Sequence, residues 1–393
     1  MRYTIGELAE IIDGDRGKNY PQQHEFLDEG YCLFLNTGNV TSSGFSFESN
    51  QYISKEKCDL LRKGKLQRRD IVYTTRGTVG NAAFYGDTVP YDHIRINSGM
   101  VIIRPNEDVV CTEFLYQILK SDYYRPYFKK YCTGCAQPQL PIKNFSTIEL
   151  DLPALGIQWK IADILCSYDD LIENNQKQIK LLEEAAQRLY KEWFVALRFP
   201  GHETTPITDG IPEGWKKERL IDIVKVQYGY AFDGSLFNAN GNGTPIVRIR
   251  NIPAGTTADY TIEDADPQYV VHNGDILVGM DGEFHINSWS GPDAYLVQRT
   301  CSFRPSNPNM KGYLLQAIYE PIKYFESTVV GATVAHLGKK HIDTITVITC
   351  PDELYVPFQQ YFERRQLLLN QNRLLAESRD RLLPKLMNGE IEV

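Results

Sequence analysis

Apolar residues recur at alternating steps of three and four along two long stretches of this chain, which is the spacing of one helix face. In residues 158–194 they are Ile161, Leu165, Tyr168, Ile172, Ile179, Leu182, Ala186, Leu189 and Trp193. In residues 356–387 they are Phe358, Tyr361, Leu368, Leu375, Leu382 and Leu386. The pattern predicts two helices with coiled-coil seams. The first, at roughly 55 Å, is longer than an amphipathic helix on one small core needs to be.

Polar residues interrupt both seams. Asn175 lies in the first, and Arg365, Asn372 and Arg379 lie in the second. A buried asparagine in a seam fixes the register of paired helices at some cost in stability. We therefore predict this role for Asn175 and Asn372; exposed asparagines outside the true seam are the alternative. Pro384 is expected to kink or end the second helix.

The chain also repeats itself in order. Residues 181–189 match residues 374–382, and residues 133–143 match residues 330–340. A repeat of this length indicates a duplicated domain rather than a solenoid. The predicted segments are a globular domain at 1–155, a helical spacer at 156–198, a second globular domain at 199–352 and a terminal helix at 353–393.

Each globular domain contains short runs of strand-forming residues, separated by Gly, Asn and Pro. The runs lie at 32–35, 70–73, 100–103, 245–249, 275–278 and 345–348. One shorter helix is predicted in each domain, at 112–120 and at 312–319. The predicted fold class is therefore mixed α/β, with two duplicated domains that are each followed by a long helix.

Composition narrows the possible classes of protein. With 42% apolar and 23% charged residues, the chain is not mainly disordered or fibrous. Its 393 residues suffice for two domains. The formal net charge of −8 excludes a uniformly basic nucleic-acid binder. The charge is uneven, because residues 1–150 balance 18 basic against 18 acidic side chains while residues 201–350 hold 12 against 17. The overall charge does not exclude a local basic face.

Targeting signals are not found in the sequence. No run approaches the roughly 20 apolar residues of a membrane span, and the first residues lack the apolar core of a signal peptide. We expect a cytoplasmic protein with no membrane partner, whose eight cysteines are reduced. Cys132 and Cys135 form a C-x-x-C pair, but without a second pair or a histidine at ligand spacing they predict free thiols.

Catalytic motifs are missing as well. The sequence has no G-x-x-x-x-G-K-[ST] loop, H-E-x-x-H motif, G-x-S-x-G elbow or glycine-rich turn for a methyl donor. Asp281, Glu283 and His285 are metal-ligand types, but surface loops commonly carry such clusters, and we predict no metal site. The pattern favours a chain without an active site.

Two basic segments favour binding to nucleic acid. Residues 55–69 hold seven cations, which are Lys55, Lys57, Arg62, Lys63, Lys65, Arg68 and Arg69. Residues 123–131 alternate cations with aromatic rings. Cations contact phosphates and release counterions, while tyrosines pack on sugars or hydrogen-bond phosphates. A solvated basic face beside a helix is the alternative interpretation.

A loop in each domain is a candidate for reading bases. Residues 74–80 follow a predicted strand and combine Arg76 with glycines that permit close approach to DNA. The equivalent residues 279–285 carry the opposite charge, which predicts that the two domains read different sequences.

Arginine suits guanine edges, and glutamine and asparagine suit adenine edges. For each candidate the alternative is a structural or solvent-facing polar residue. In the first domain the candidate DNA contacts are Thr75, Arg76, Gly77, Thr78, Tyr123, Tyr124, Arg125, Lys129, Lys130, Gln137, Gln139 and Lys143. In the second domain they are Gln227, Tyr230, Arg248, Arg250, Asn251, Met280, His285, Asn287, Lys339 and Lys340.

Two diverged globular domains, each followed by a similar long helix, resemble the DNA specificity subunit of type I restriction–modification systems. The resemblance covers nearly the whole chain. Its most specific parts are residues 69–80, 134–140, 171–184 and 381–391. The pair Met280-Asp281 departs from it, because many members carry basic or hydroxyl residues there, and this weakens the case for base contacts at that loop.

The resemblance implies two target-recognition domains, each of which reads one half of a split, asymmetric site in double-stranded DNA. The two helices would form an antiparallel coiled coil that sets the spacing of the half-sites. Two modification subunits would bind S-adenosylmethionine and methylate adenine, and a restriction subunit would use ATP and Mg²⁺. This chain would then hold no cofactor and no active site.

Two other function classes remain open at this point. One is a divergent DNA methyltransferase or nuclease that acts alone. The other is a coiled-coil scaffold that never contacts DNA.

Overall fold

The computed structural model describes residues 1–134, 137–328 and 335–393. The chain divides into two compact units. Unit 1 contains Met1–Leu171 and Leu375–Val393, and unit 2 contains Ile172–Leu374. Each unit therefore combines a globular domain with one part of each long helix.

Unit 1 is a mixed α/β domain. Its strands are β1 (Arg2–Thr4), β2 (Ala9–Asp13), β3 (Cys32–Leu35), β4 (Val40–Thr41), β5 (Gly44–Phe45), β6 (Tyr52–Ile53), β7 (Ile71–Thr74), β8 (Ala82–Phe84), β9 (Ile94–Ile96), β10 (Met100–Pro105) and β11 (Glu149–Asp151). Its helices are α1 (Ile5–Leu8), α2 (Lys55–Leu60), α3 (Thr112–Lys120), α4 (Arg125–Lys129), α5 (Ile142–Ser146) and the first part of α6 (Leu155–Tyr190).

Unit 2 has the same organisation. Its strands are β12 (Ile207–Thr208), β13 (Ile211–Pro212), β14 (Lys216–Arg219), β15 (Val224–Tyr228), β16 (Phe237–Asn238), β17 (Thr244–Val247), β18 (Tyr260–Thr261), β19 (Val270–Val271), β20 (Ile276–Gly279), β21 (Ile286–Ser288), β22 (Ala294–Leu296), β23 (Thr300–Pro305) and β24 (Thr346–Thr349). Its helices are α7 (Leu220–Ile223), α8 (Lys311–Ala317), α9 (Tyr319–Thr328), α10 (Lys339–Ile342) and the first part of α11 (Val356–Met387).

The sheet topology confirms the duplication. An antiparallel sheet of order β2-β10-β7-β8 in unit 1 recurs as β15-β23-β20-β21 in unit 2. The pair β1-β11 recurs as β14-β24. The remaining sheets differ, because unit 1 has the order β6-β3-β9 and unit 2 has the longer order β16-β18-β17-β22-β19.

The sequence predicted the long helices closely. A single π-helical turn, Lys191–Val195, follows α6 where the sequence predicted continued α-helix. Pro384 does not end α11, which continues to Met387. Since Leu383 and Leu386 on either side of it are buried in the core of unit 1, their packing offsets the backbone hydrogen bond that a proline removes. The predicted helix at 312–319 is instead two helices, α8 and α9.

The long helices are antiparallel within each unit. In unit 1, Ile161 and Leu165 of α6 share a core with the end of α11, and the Lys160 ammonium contacts the carbonyl oxygen of Val393. In unit 2, the Nδ2 of Asn175 donates to the Oδ1 of Asn372 at 2.9 Å. The structure thus brings together the two asparagines for which a register role was predicted.

A partly buried charge cluster joins the helices of unit 1. The Asp169 carboxylate on α6 accepts hydrogen bonds from Arg379 of α11 at 2.6 Å and from Gln117 of α3 at 2.6 Å, and it pairs with Lys120 of α3. Burial alone would raise the pKa of Asp169, but Lys120 and Arg379 outweigh it and hold that pKa below its usual value. Burial lowers the pKa of Lys120.

Replacing Asp169 with Asn should cost about 3 kcal/mol of unfolding free energy, because the largely buried Lys120 ammonium would lose its carboxylate and Arg379 would keep only that of Asp380. Chemical unfolding of D169N and wild type measures the difference. The exposed neighbour provides the control: Asp170→Asn should change stability by less than about 0.5 kcal/mol. Equal losses for the two variants would contradict a special role for Asp169.

The cluster also predicts a pH dependence. Since the pKa of Asp169 is lowered in the folded state, its contribution is fully present above the unfolded value of about 4 and is lost as the pH falls through the folded value. The stability difference between wild type and D169N should therefore shrink in acid. A difference that stays constant between neutral pH and pH values well below about 4 would refute this assignment.

Candidate nucleic-acid interface

In unit 1 the loop after β7 is a compact turn with exposed side chains at its tip. The hydroxyl of Thr74 accepts a hydrogen bond from the Asn81 amide at 2.9 Å, which closes the turn. Gly77 has a φ of +69°, a left-handed conformation that favours glycine. Arg76, Gly77 and Thr78 are exposed, as a DNA-reading loop requires.

Thr75, another candidate contact, has a structural role. Its side chain is buried, and its hydroxyl donates to the Gly99 carbonyl at 3.1 Å. The hydroxyl therefore serves to hold the loop against the start of β10.

A second loop of unit 1 lies beside the first. The Leu140 amide donates to the Thr75 carbonyl at 2.9 Å, and Arg76 and Gln139 form an isolated β-bridge. Gln137 and Gln139 are exposed. The structure thus brings Arg76 together with Gln139, one of the two glutamines predicted from the sequence. Cys135, one half of the C-x-x-C pair, lies outside the described residues.

The aromatic segment 123–131 is only partly available to DNA. Tyr123, Lys129 and Lys130 are exposed. Tyr124 packs against the core of unit 1, and burial raises its pKa to about 12. Arg125 forms an ion pair with Asp122 at 2.9 Å.

The ammonium of Lys130 lies 5.8 Å from the ring centre of Tyr127, a cation–π contact on the surface. Lys143, on α5, is exposed as well. The ammonium groups of Lys129, Lys130 and Lys143 therefore lie at the surface of unit 1.

The basic segment 55–69 divides into structural and exposed cations. Lys57 pairs with Glu25 at 2.8 Å, and Arg68 donates to the Gly86 carbonyl at 2.7 Å. Arg69 pairs with Glu107 at 2.5 Å. The exposed members are Lys55, Arg62, Lys63 and Lys65, so the surface charge is smaller than the sequence count indicates.

In unit 2 the equivalent loop is arranged differently. Met280 is only 6% exposed and packs in the core of unit 2, so it offers DNA no surface in this structure. Its neighbour Asp281 accepts a hydrogen bond from Nδ1 of His336 at 2.5 Å and lies 3.4 Å from Nε of Arg299.

Arg299 and His336 were not among the residues predicted from the sequence. The signal for His336 was present in the repeat, since matching residues 133–143 to residues 330–340 aligns Gln139 with His336. Arg299 comes directly before β23, and Gly99 comes directly before β10. The two residues correspond because β23 and β10 hold the same place in their sheets, and only the strand order shows this.

Several other candidates in unit 2 use their polar groups internally. Gln227 donates to the Tyr228 carbonyl at 2.9 Å, and Arg250 pairs with Asp259 at 2.5 Å. Although burial favours its neutral form, the pKa of Asp259 is lowered because Arg250 and Asn251 donate hydrogen bonds to its carboxylate.

The remaining candidates are partly or fully exposed. Tyr230 is half-buried against Phe232, and the Arg248 guanidinium lies 5.6 Å from the ring centre of Phe237. His285 is half-buried, with Nδ1 3.6 Å from Glu283. Lys339 and Lys340 are exposed on α10.

Asn287 belongs to a polar clamp between β21 and the long helices. The Arg365 guanidinium of α11 donates to Asn287 Oδ1 at 2.9 Å and to the Ser288 hydroxyl at 2.7 Å. It also donates to the Glu183 carboxylate of α6 at 2.6 Å. Since β21 follows the loop of Met280 and Asp281, the clamp fixes the base of that loop on the helices.

Truncating Arg365 should destabilise unit 2. Arg365→Ala removes the clamp and takes one charged hydrogen-bond donor from Asn287 Oδ1 and one from the Ser288 hydroxyl, at a cost of about 2 kcal/mol. Arg364→Ala is the matched control, because Arg364 is exposed and its guanidinium donates to Gln178 at 3.3 Å, outside the clamp. Thermal unfolding that shifts equally in both variants would contradict the clamp.

Neither a membrane segment nor a metal cluster occurs in residues 1–134, 137–328 and 335–393. None of the helices there combines the length and the apolar character that crossing a membrane requires. In the same ranges, no three His, Cys, Asp or Glu side chains are grouped so as to hold a metal ion.

The repeated sheets and the loop bridges Arg76–Gln139 and Asp281–His336 define a duplicated protein whose two units carry unlike loops. A family model described as the type I restriction modification DNA specificity domain matches residues 1–184 and 212–374. The chain therefore belongs to the family of type I restriction–modification DNA specificity subunits, which recognise DNA sequence within a restriction–modification complex.

Individual relatives agree with this assignment. The chain is 29% identical to the type I restriction enzyme MjaIX specificity subunit of Methanocaldococcus jannaschii, over 82% of this chain and 78% of that protein. It is 24% identical to the HindI specificity subunit of Haemophilus influenzae, over 98% and 100% of the two chains. The crystal structure of the S subunit from M. genitalium has the same fold, with a TM-score of 0.53, 14% identity and coverage of 100% and 96%.

Proposed function

We propose that each unit reads one half of a bipartite, asymmetric DNA site and that partner subunits methylate adenine there. One observation carries the proposal: the same loop pair occurs in both units with different side chains at its tip. Unit 1 presents Arg76 beside Gln139, and unit 2 presents Asp281 beside His336. Two identical readers would give a symmetric site, whereas two unlike readers give an asymmetric one.

We further propose that catalysis and cofactors belong to the partners. Two modification subunits would bind S-adenosylmethionine, and a restriction subunit would bind ATP and Mg²⁺. The missing nucleotide, methyl-donor and nucleophile motifs support a non-catalytic role for this chain. The complex would work in the cytoplasm, where host DNA and S-adenosylmethionine are found.

Methylation of a randomised DNA library tests the function. The chain is assembled with its modification subunits, supplied with S-adenosylmethionine and a duplex library, and the methylated molecules are sequenced. We expect two short specific parts separated by several unspecified bases. A continuous or palindromic motif would refute the model of two unlike readers.

Two control reactions separate the other function classes. The chain alone, with labelled S-adenosylmethionine or with Mg²⁺ and DNA, should show no turnover; turnover would indicate a stand-alone enzyme. DNA retention by the complex should fall steeply with added salt. A complex without sequence-selective, salt-dependent retention would indicate a scaffold.

The long helices are proposed to set the distance between the half-sites. Inserting seven residues into both α6 and α11, at the level of Asn175 and Asn372, keeps the seam in phase and lengthens each helix by about 10 Å. The unspecified spacer should grow by about three base pairs, while both specific parts stay unchanged. The library assay measures this, and an unchanged spacer would contradict the role.

A further inference from the structure

The loops of unit 1 are held together by backbone hydrogen bonds. The amides of Thr75 and Arg76 both donate to the Gly99 carbonyl, at 2.9 and 3.1 Å. The Leu140 amide donates to the Thr75 carbonyl at 2.9 Å. Three separate segments of the chain therefore meet at the end of β7.

Unit 2 repeats this arrangement. The Met280 amide donates to the Arg299 carbonyl at 2.9 Å, and the Leu337 amide donates to the Met280 carbonyl at 2.7 Å. Corresponding bonds identify corresponding residues in the two units. The resulting pairs are Arg76 with Asp281, Gly99 with Arg299 and Gln139 with His336.

Arg299 occupies its position at a conformational cost. Its φ is +69°, a left-handed conformation that an arginine rarely adopts. Such conformations persist where the surrounding structure holds them, and they cluster at functional sites. Its side chain is nevertheless 56% exposed, so packing of the side chain does not explain why an arginine stands there.

Asp281 orients the Arg299 side chain. One carboxylate oxygen accepts a hydrogen bond from Nδ1 of His336 at 2.5 Å, and the other lies 3.4 Å from Nε of Arg299. With both oxygens engaged, the carboxylate acts as a support rather than as an acceptor for a base. Nη1 of Arg299 lies 3.4 Å from Nδ1 of His336, but the proton that Nδ1 donates to Asp281 leaves this nitrogen no lone pair to accept from Nη1. In the described part of the chain no hydrogen bond engages Nη2, so both Nη groups can donate to a ligand.

We propose that Arg299, oriented by Asp281, reads a guanine in the half-site bound by unit 2. The inference rests on the proposed function and names the base class at one position. A guanidinium donates two hydrogen bonds to O6 and N7 of guanine in the major groove, and no other base offers that pair of acceptors. Asp281 is a positioning residue. The acidic loop of unit 2 is compatible with reading DNA because its carboxylate orients the Arg299 guanidinium.

The test compares motifs selected by variant complexes. Wild type, Arg299→Ala and Arg299→Gly are assembled with the modification subunits and given S-adenosylmethionine and the randomised duplex library. Both variants should lose preference for guanine at one position of one half-site by about 5- to 150-fold, with the other half-site unchanged. Glycine accepts the left-handed backbone without strain, so R299G guards against misfolding of R299A.

Two further variants sharpen the result. Asp281→Asn should weaken the same guanine preference without creating a new one. Arg219→Ala should leave the motif unchanged, because Arg219 is an equally exposed arginine of unit 2 whose ion pair, 2.9 Å to Asp222, lies outside the loop cluster.

The outcomes are distinguishable. A wild-type complex that selects no motif would refute the proposed function itself. A wild-type complex that selects a bipartite motif, with R299G or R299A keeping every guanine preference, would overturn only the role of Arg299. If wild type preferred cytosine at one position and D281N preferred another base there, base reading would be assigned to Asp281 instead.

Discussion

Both compact units depend on the pairing of α6 with α11, two helices that lie far apart in sequence. The end of α11 supplies Leu383 and Leu386 to the core of unit 1, which otherwise comes from the first half of the chain. The start of α11 supplies Phe358 to the core of unit 2. The core of unit 1 is therefore incomplete until the end of α11 is in place, whereas the core of unit 2 is completed by the start of α11, directly after its own globular domain.

Polar contacts give this pairing its specificity. An apolar seam of leucines tolerates sliding by a turn, whereas a buried charge or amide tolerates it poorly. Asp169 with Arg379 in unit 1, and Asn175 with Asn372 in unit 2, are polar pairs of this kind between α6 and α11. Arg365 gives the loops of unit 2 a specific polar contact as well, because it joins β21 to both helices.

The candidate site was only partly predictable. Arg76, Gln137 and Gln139 are exposed where the sequence placed them, since a short glycine-containing turn after a strand leaves little choice of conformation. Met280 was misjudged because a loop position next to a charged residue does not reveal which side chain points inward. Arg299 was overlooked because its partner Asp281 is distant in sequence and only the strand order brings them together.

The sequence by itself determined the duplication, both long helices and their polar interruptions. Helix periodicity and repeated segments are local features of the sequence, so they can be recognised without any knowledge of packing. Tertiary structure decided which cations are free, which loop residues are buried and which distant side chains meet. Those outcomes depend on contacts between residues far apart in the chain: Arg69 is neutralised by Glu107, and Arg299 is oriented by Asp281, only after the strands have been assembled into sheets.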